Sequence, residues 1–128
     1  MHFRHADAFD LGGIPGEFDA AFAGFWLSHV SRPDVGRFLR GLHDRLGAGA
    51  RVMLLDNRYV EGSSTPTVRV DAAGNTYQRR AIASGAEYEV LKNFPTPDEL
   101  REWIVAAAAD SIDVVELPYY WYTTYNVR

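Results

Sequence analysis

Two stretches decide the fold: Phe18-Asp19-Ala20-Ala21-Phe22-Ala23-Gly24-Phe25-Trp26 and Arg51-Val52-Met53-Leu54-Leu55-Asp56. Each is a near-continuous apolar run of the kind found in strands buried on both faces, as in a parallel sheet. For the first run a buried helix has the same pattern, and periodicity alone does not separate the two. What lies between them is clearer. Ser31 is a good N-cap, Pro33 sits in the first turn and Asp34 follows three residues after the cap, close to a capping box. Val35, Phe38, Leu39, Leu42 and Leu46 repeat at helical spacing and form one apolar face, and Gly47 and Gly49 stop the helix. Strand, helix, strand with short connections is a βαβ unit, for which parallel strands and a right-handed crossover are expected.

Working outward, Phe3 to Ala8 reads as a short strand with Asp7 near its C-terminal end, and Gly12 to Gly16 reads as a loop. Beyond Asp56 the character changes. Residues 61–93 read as a small antiparallel hairpin insertion: Thr67 to Val70 and Thr76 to Ile82 flank the turn composition Asp71 to Asn75, and Tyr88 to Leu91 follows the turn Ser84-Gly85. Lys92 and Asn93 close the insertion as a solvated turn. Thr96-Pro97-Asp98-Glu99 is a capping box with Pro at the first helical position, and Leu100, Trp103, Ile104 and Ala107 give that helix its buried face. Ile112 to Leu117 and Tyr119 to Val127, separated by Pro118, read as two final antiparallel strands. Alternation puts Tyr119, Trp121 and Thr123 on one face of the last strand and Tyr120, Tyr122 and Thr124 on the other.

The chain of 128 residues, 47% hydrophobic and 23% charged, is ordinary for one soluble domain. Its net charge of −4 and lack of basic runs argue against nucleic-acid or anionic-membrane partners. The chain has no cysteine, which excludes disulfides and thiolate ligands. Nothing approaches the ~20 apolar residues of a membrane span, and the start, Met1 to His5, lacks a signal-peptide pattern, so a cytoplasmic location is expected. His2, His5, His29 and His43 are not at metal-ligand spacing, and no metal is expected.

Ala6-Asp7-Ala8-Phe9 resembles the segment after the third strand of class I S-adenosylmethionine-dependent methyltransferases. Phe18 to Phe22 resembles the start of that family's fourth strand, and Gly24 to Val30 the loop beyond it, which often carries a His. Leu46 to Val52 resembles the Gly-rich run into the fifth strand. In that order, over about the whole chain, these segments resemble the second half of the family's fold. The implied class is α/β: a partial Rossmann-like sheet of the family's third to seventh strands with two main helices, plus the hairpin insertion, in a single truncated domain spanning residues 1–128.

The resemblance implies S-adenosylmethionine as cofactor and methyl transfer to a small-molecule acceptor. By it, Asp7, Ala8, Gly24 and Phe25 border the cofactor. His29, with an imidazole able to take a proton near neutrality, is the candidate catalytic residue. Trp26, Asn57 and Tyr59 border the substrate, because loops after parallel strands line the crevice at their carboxyl ends. The family's Gly-rich turn after the first strand and the acidic residue after the second have no counterpart; two βα units, on the order of 60 residues, are missing. Pro15 removes a backbone donor from the only other Gly-rich stretch. The missing strands would lie between Phe3–Asp7 and Ala20–Gly24, leaving the edge of Ala20–Gly24 bare and open to pairing. A homodimer or a partner chain covering that edge follows, or a shift of Phe3–Asp7 onto it. The chain is then a fragment, a mis-started frame, a degenerate paralogue or half of a dimer. A non-catalytic methyltransferase-like binding or dimerisation module is the alternative function; a small α+β cone-like binding fold is a weaker one, because that fold opens with a helix.

Overall fold

The computed structural model describes residues 1–128. The apolar run is resolved as a strand, β1 (Ala20–Gly24), which pairs in parallel with β2 (Arg51–Asn57) in register Ala20↔Arg51 to Gly24↔Leu55. The helix between them, α1 (Val35–Leu46), is entered through two short 3-10 turns, Leu27–His29 and Arg32–Asp34. Ser31 does precede the second turn, but its hydroxyl donates to the Asp34 carboxylate at 2.8 Å and caps no backbone N–H. Gly47 ends α1 at φ +90, a conformation that costs glycine little.

The insertion is a separate antiparallel sheet of β3 (Thr67–Val70), β4 (Thr76–Ala81) and β5 (Glu87–Leu91), in that order. Next comes α2 (Pro97–Ala106), whose capping box is complete: the Thr96 hydroxyl accepts from the Glu99 N–H and the Glu99 carboxylate accepts from the Thr96 N–H. The chain ends in β6 (Ala109–Glu116) and β7 (Tyr120–Val127), antiparallel to each other, with β7 also antiparallel to β2. The main sheet runs β1-β2-β7-β6.

Both helices lie on one face of that sheet. Val35, Phe38 and Leu39 of α1 and Leu100 and Ile104 of α2 share a core with Val52, Leu54, Trp121 and Tyr125. The residues between them in the strands, Met53, Leu55, Tyr122 and Thr124, point to the opposite face, which no helix covers. Phe22 lies beside Met53 on that open face and is 63% exposed.

The N-terminal segment differs from expectation. Phe3 to Ala8 forms no strand; the chain makes a tight turn closed by a single bridge between Asp7 and Asp10. The physical cause is local and tertiary. The Asp7 carboxylate accepts the Phe9 N–H at 2.9 Å, an Asx-type turn, and Phe9 is drawn onto α1, edge-on to Trp26 and Phe38. The segment therefore does not slide onto β1. The outer edge of β1 stays unpaired.

Candidate functional site

In a sheet with parallel strands the crevice lies beyond their carboxyl ends. Here that end carries Gly24 and Phe25 from β1, Asp56 and Asn57 from β2, and Tyr120 at the start of β7, which is paired with Asn57. Phe25 holds φ +57, unusual for a residue with a side chain, and its N–H donates to Leu55 O at 2.8 Å. Its ring is exposed and meets Tyr120 edge-on at 6.1 Å. Strain of this kind at a strand end concentrates at functional positions.

Under this rim sits a buried polar cluster. Lys92 is only 5% exposed, and its ammonium donates to Ser28 Oγ (2.9 Å), Asp56 Oδ1 (3.1 Å) and Asn57 Oδ1 (2.9 Å). Asp56, fully buried, uses its other oxygen to accept the Ser28 N–H at 2.9 Å. An unpaired charge at such a depth is strongly unfavourable, so the carboxylate and ammonium stand together. Asn93 is buried too. Its amide donates to Val30 O and Asn75 Oδ1 and its carbonyl oxygen accepts from the Thr76 N–H. The solvated turn expected at Lys92 and Asn93 is therefore a buried junction that welds the insertion to the loop after β1. Arg32 reinforces it: its backbone N–H donates to Asn75 Oδ1, its guanidinium to Gly74 O and to the Glu99 carboxylate.

Two clefts open from the rim and share Asn57, Arg58 and Phe94. One, of about 210 Å3, runs toward the start of α2 between Tyr59, Phe94, Leu100 and Trp121. Tyr59 and Phe94 stand edge-on at 5.4 Å, and the Trp121 indole N–H is buried without a protein partner. The other, of about 430 Å3, runs toward the insertion between Ser63, Ser64, Thr65, Gln78, Arg80, Tyr119 and Tyr120.

The residues read from the sequence fall into four groups. Asn57, Tyr59 and, through Tyr120, Phe25 stand at the clefts and the rim. Trp26 packs against Phe9 and Phe38 beside α1 and lines neither cleft. His29 donates from Nδ1 to Leu91 O at 2.7 Å; the carbonyl fixes the proton on Nδ1 and leaves Nε2 as the acceptor nitrogen. Asp7 and Ala8 lie in the N-terminal turn, and Asp7 lines a separate surface concavity with Asp10 and Ile14. Sequence reasoning missed the burial of Lys92, and it missed Arg80 and Phe94 as cleft residues. The signal for Lys92 was a single cation set between Val90-Leu91 and Phe94-Pro95, an apolar context that needs a buried counter-charge.

No family model matches the chain, and no curated protein matches its sequence. Solved structures do match. DhpI in complex with SAH is 26% identical with a TM-score of 0.71, over 98% of this chain and 54% of that one. DhpI with SAM and HEP is 27% identical with a TM-score of 0.72, over 97% and 56%. An S-adenosylmethionine-dependent methyltransferase from Mesorhizobium loti shares 16% identity at a TM-score of 0.61, over 94% and 67%. The chain has the fold of the C-terminal part of a class I methyltransferase, and it spans about half the length of the DhpI chains.

Proposed function

We propose that the chain is the acceptor-side half of an S-adenosylmethionine-dependent methyltransferase acting on a small molecule. The observation that carries this is the rim at the carboxyl ends of β1 and β2. There the polar pair Asn57 and Arg58 opens onto two clefts, with the strained aromatic Phe25 beside them against Tyr120, on a sheet whose β1 edge and one face remain free.

Gly24 and Phe25 at the rim suit one wall of the cofactor, whereas Asp7 and Ala8 stand in the separate N-terminal turn and would have to reach it from there. Gly24 offers a strand end without a side chain, Phe25 an exposed ring, and Asp7 a carboxylate oxygen not used in its turn; with Ala8, these are the positions proposed to border it. A Gly-rich turn and a ribose-holding acid would come from the other half of the fold, paired along β1 either within a longer chain or from a partner chain of different sequence. The cofactor supplies an electrophilic methyl group. The chain's own residues hold the acceptor atom in line with it, and orientation alone supplies a large share of the rate. Asn57 and Tyr59 contact the acceptor. His29 lines neither cleft and is held through Nδ1 on Leu91 O; its Nε2 is the nitrogen proposed to take the acceptor's proton. Trp26 supports Phe9 and α1 from beneath.

A chimera joining the N-terminal half of DhpI ahead of Met1 tests the reading. It is expected to convert S-adenosylmethionine to S-adenosylhomocysteine with an acceptor from a panel of small hydroxy, amino and acidic compounds, beginning with HEP. A folded chimera that binds S-adenosylmethionine yet methylates nothing in the panel would overturn it.

A further inference from the structure

We infer that the larger cleft is a subsite for a small oxyanion, so that the acceptor carries a carboxylate or phosphoryl head. The inference rests on the acceptor-side reading above and specifies its substrate class. The protein as a whole carries a net charge of −4, yet this cleft is lined by Arg58, Arg80 and Lys92 and by no Asp or Glu.

The charges are not equivalent. Lys92 is matched by Asp56 behind it and Arg58 by Glu116 at 2.9 Å. Arg80 has no carboxylate partner; its guanidinium donates only to Gln78 Oε1 at 3.3 Å. Gln78 is itself 4% exposed and fixed by donating to Thr65 O at 3.1 Å. The neighbouring Arg79, outside the cleft, faces Glu87 at 3.8 Å. One positive charge is thus left over on the cleft wall. It is seated on a buried amide in a cleft that Ser63, Ser64, Tyr119 and Tyr120 also line. A planar guanidinium with free donors beside hydroxyl donors is the arrangement that grips an oxyanion. The cleft also reaches Asn57 at the end of β2, so an acceptor held at Arg80 can extend its nucleophile toward the carboxyl ends of β1 and β2, where methyl transfer would occur.

The test uses the chain as it stands, by nitrogen-15 NMR of backbone amides and arginine Nε groups. Inorganic phosphate and acetate are titrated separately, with ethanol as the uncharged control. Saturable shifts at Arg80, Gln78 and Ser63 to Thr65 are expected, and Arg80→Gln weakens them at least tenfold while Arg79→Gln does not. Tighter phosphate binding assigns a phosphoryl-type head and tighter acetate binding a carboxylate; either supports the subsite. No saturable shift, an equal response to ethanol, or equal loss in Arg79→Gln overturns it. Anion binding by a chain whose chimera transfers no methyl group would leave the subsite standing and remove the methyltransferase reading.

Discussion

Lys92 places all three ammonium protons on oxygens of Ser28, Asp56 and Asn57, and in doing so ties β5, β2 and the loop after β1 to one point. Replacing it with Met leaves the Asp56 carboxylate buried and unpaired. Lys92→Met is expected to cost about 3–5 kcal/mol in urea denaturation, and adding Asp56→Asn recovers part of that by removing the orphan charge. A loss below about 1 kcal/mol would show that the cluster is not a buried ion pair. His29 separates anchoring from proton transfer. Asn at that position can still donate to Leu91 O but has no Nε2. In a methyl-transferring chimera, His29→Asn is expected to lower kcat by roughly 10²-fold or more; an unchanged kcat would leave His29 an anchor only.

A second histidine, His43, has a fixed tautomer. Its Nδ1 donates to Ala107 O at 2.8 Å, so its Nε2 accepts the Tyr125 hydroxyl at 2.7 Å. Burial lowers its pKa below 6.5, outweighing the opposing pull of the Ala107 carbonyl and Asp44. Because the unfolded chain takes up that proton first, the stability His43 supports is complete above its unfolded value and declines as pH falls below it. Thermal melts from pH 7.5 to 5.0 are expected to show a fall in Tm that is shallower in His43→Gln. A parallel fall in both would exclude the histidine as its cause.

At the scale of elements, the strongly periodic and capped segments were legible. α1, α2 with its capping box, β2 and β7 fall where apolar spacing and turn residues put them, and β6 pairs antiparallel with β7 as expected. Thr96→Ala is expected to cost about 1 kcal/mol by removing the cap acceptor for the Glu99 N–H. Two misreadings have local causes. β6 begins at Ala109, three residues before the expected start, because a bulge between Asp110 and Asp113, with Ser111 at φ +54, breaks the alternation that would reveal it. Phe3 to Ala8 reads as a strand in the sequence, but the Asx turn at Asp7 and the pull of Phe9 onto α1 give it a turn instead. β1 is an edge of small and apolar residues with no Lys or Pro to guard it. Light scattering at high micromolar concentration is expected to give twice 14.4 kDa; a clean single-chain mass would show that the edge is tolerated as it is.

For the whole molecule, the decisive feature is asymmetry. Both helices cover one face of the main sheet, while the other face and the β1 edge are left bare, and the DhpI chains that share this fold are about twice as long. The rim was legible in the sequence because strand ends can be located from strand patterns; the clefts were not, since they depend on how the insertion folds back through Asn93 and Arg32. Isothermal titration of S-adenosylmethionine into the isolated chain and into the DhpI chimera tests the division of labour directly. The chain alone is expected to give no saturable heat and the chimera micromolar binding. Micromolar binding by the isolated monomer, or none by a folded chimera, would contradict it.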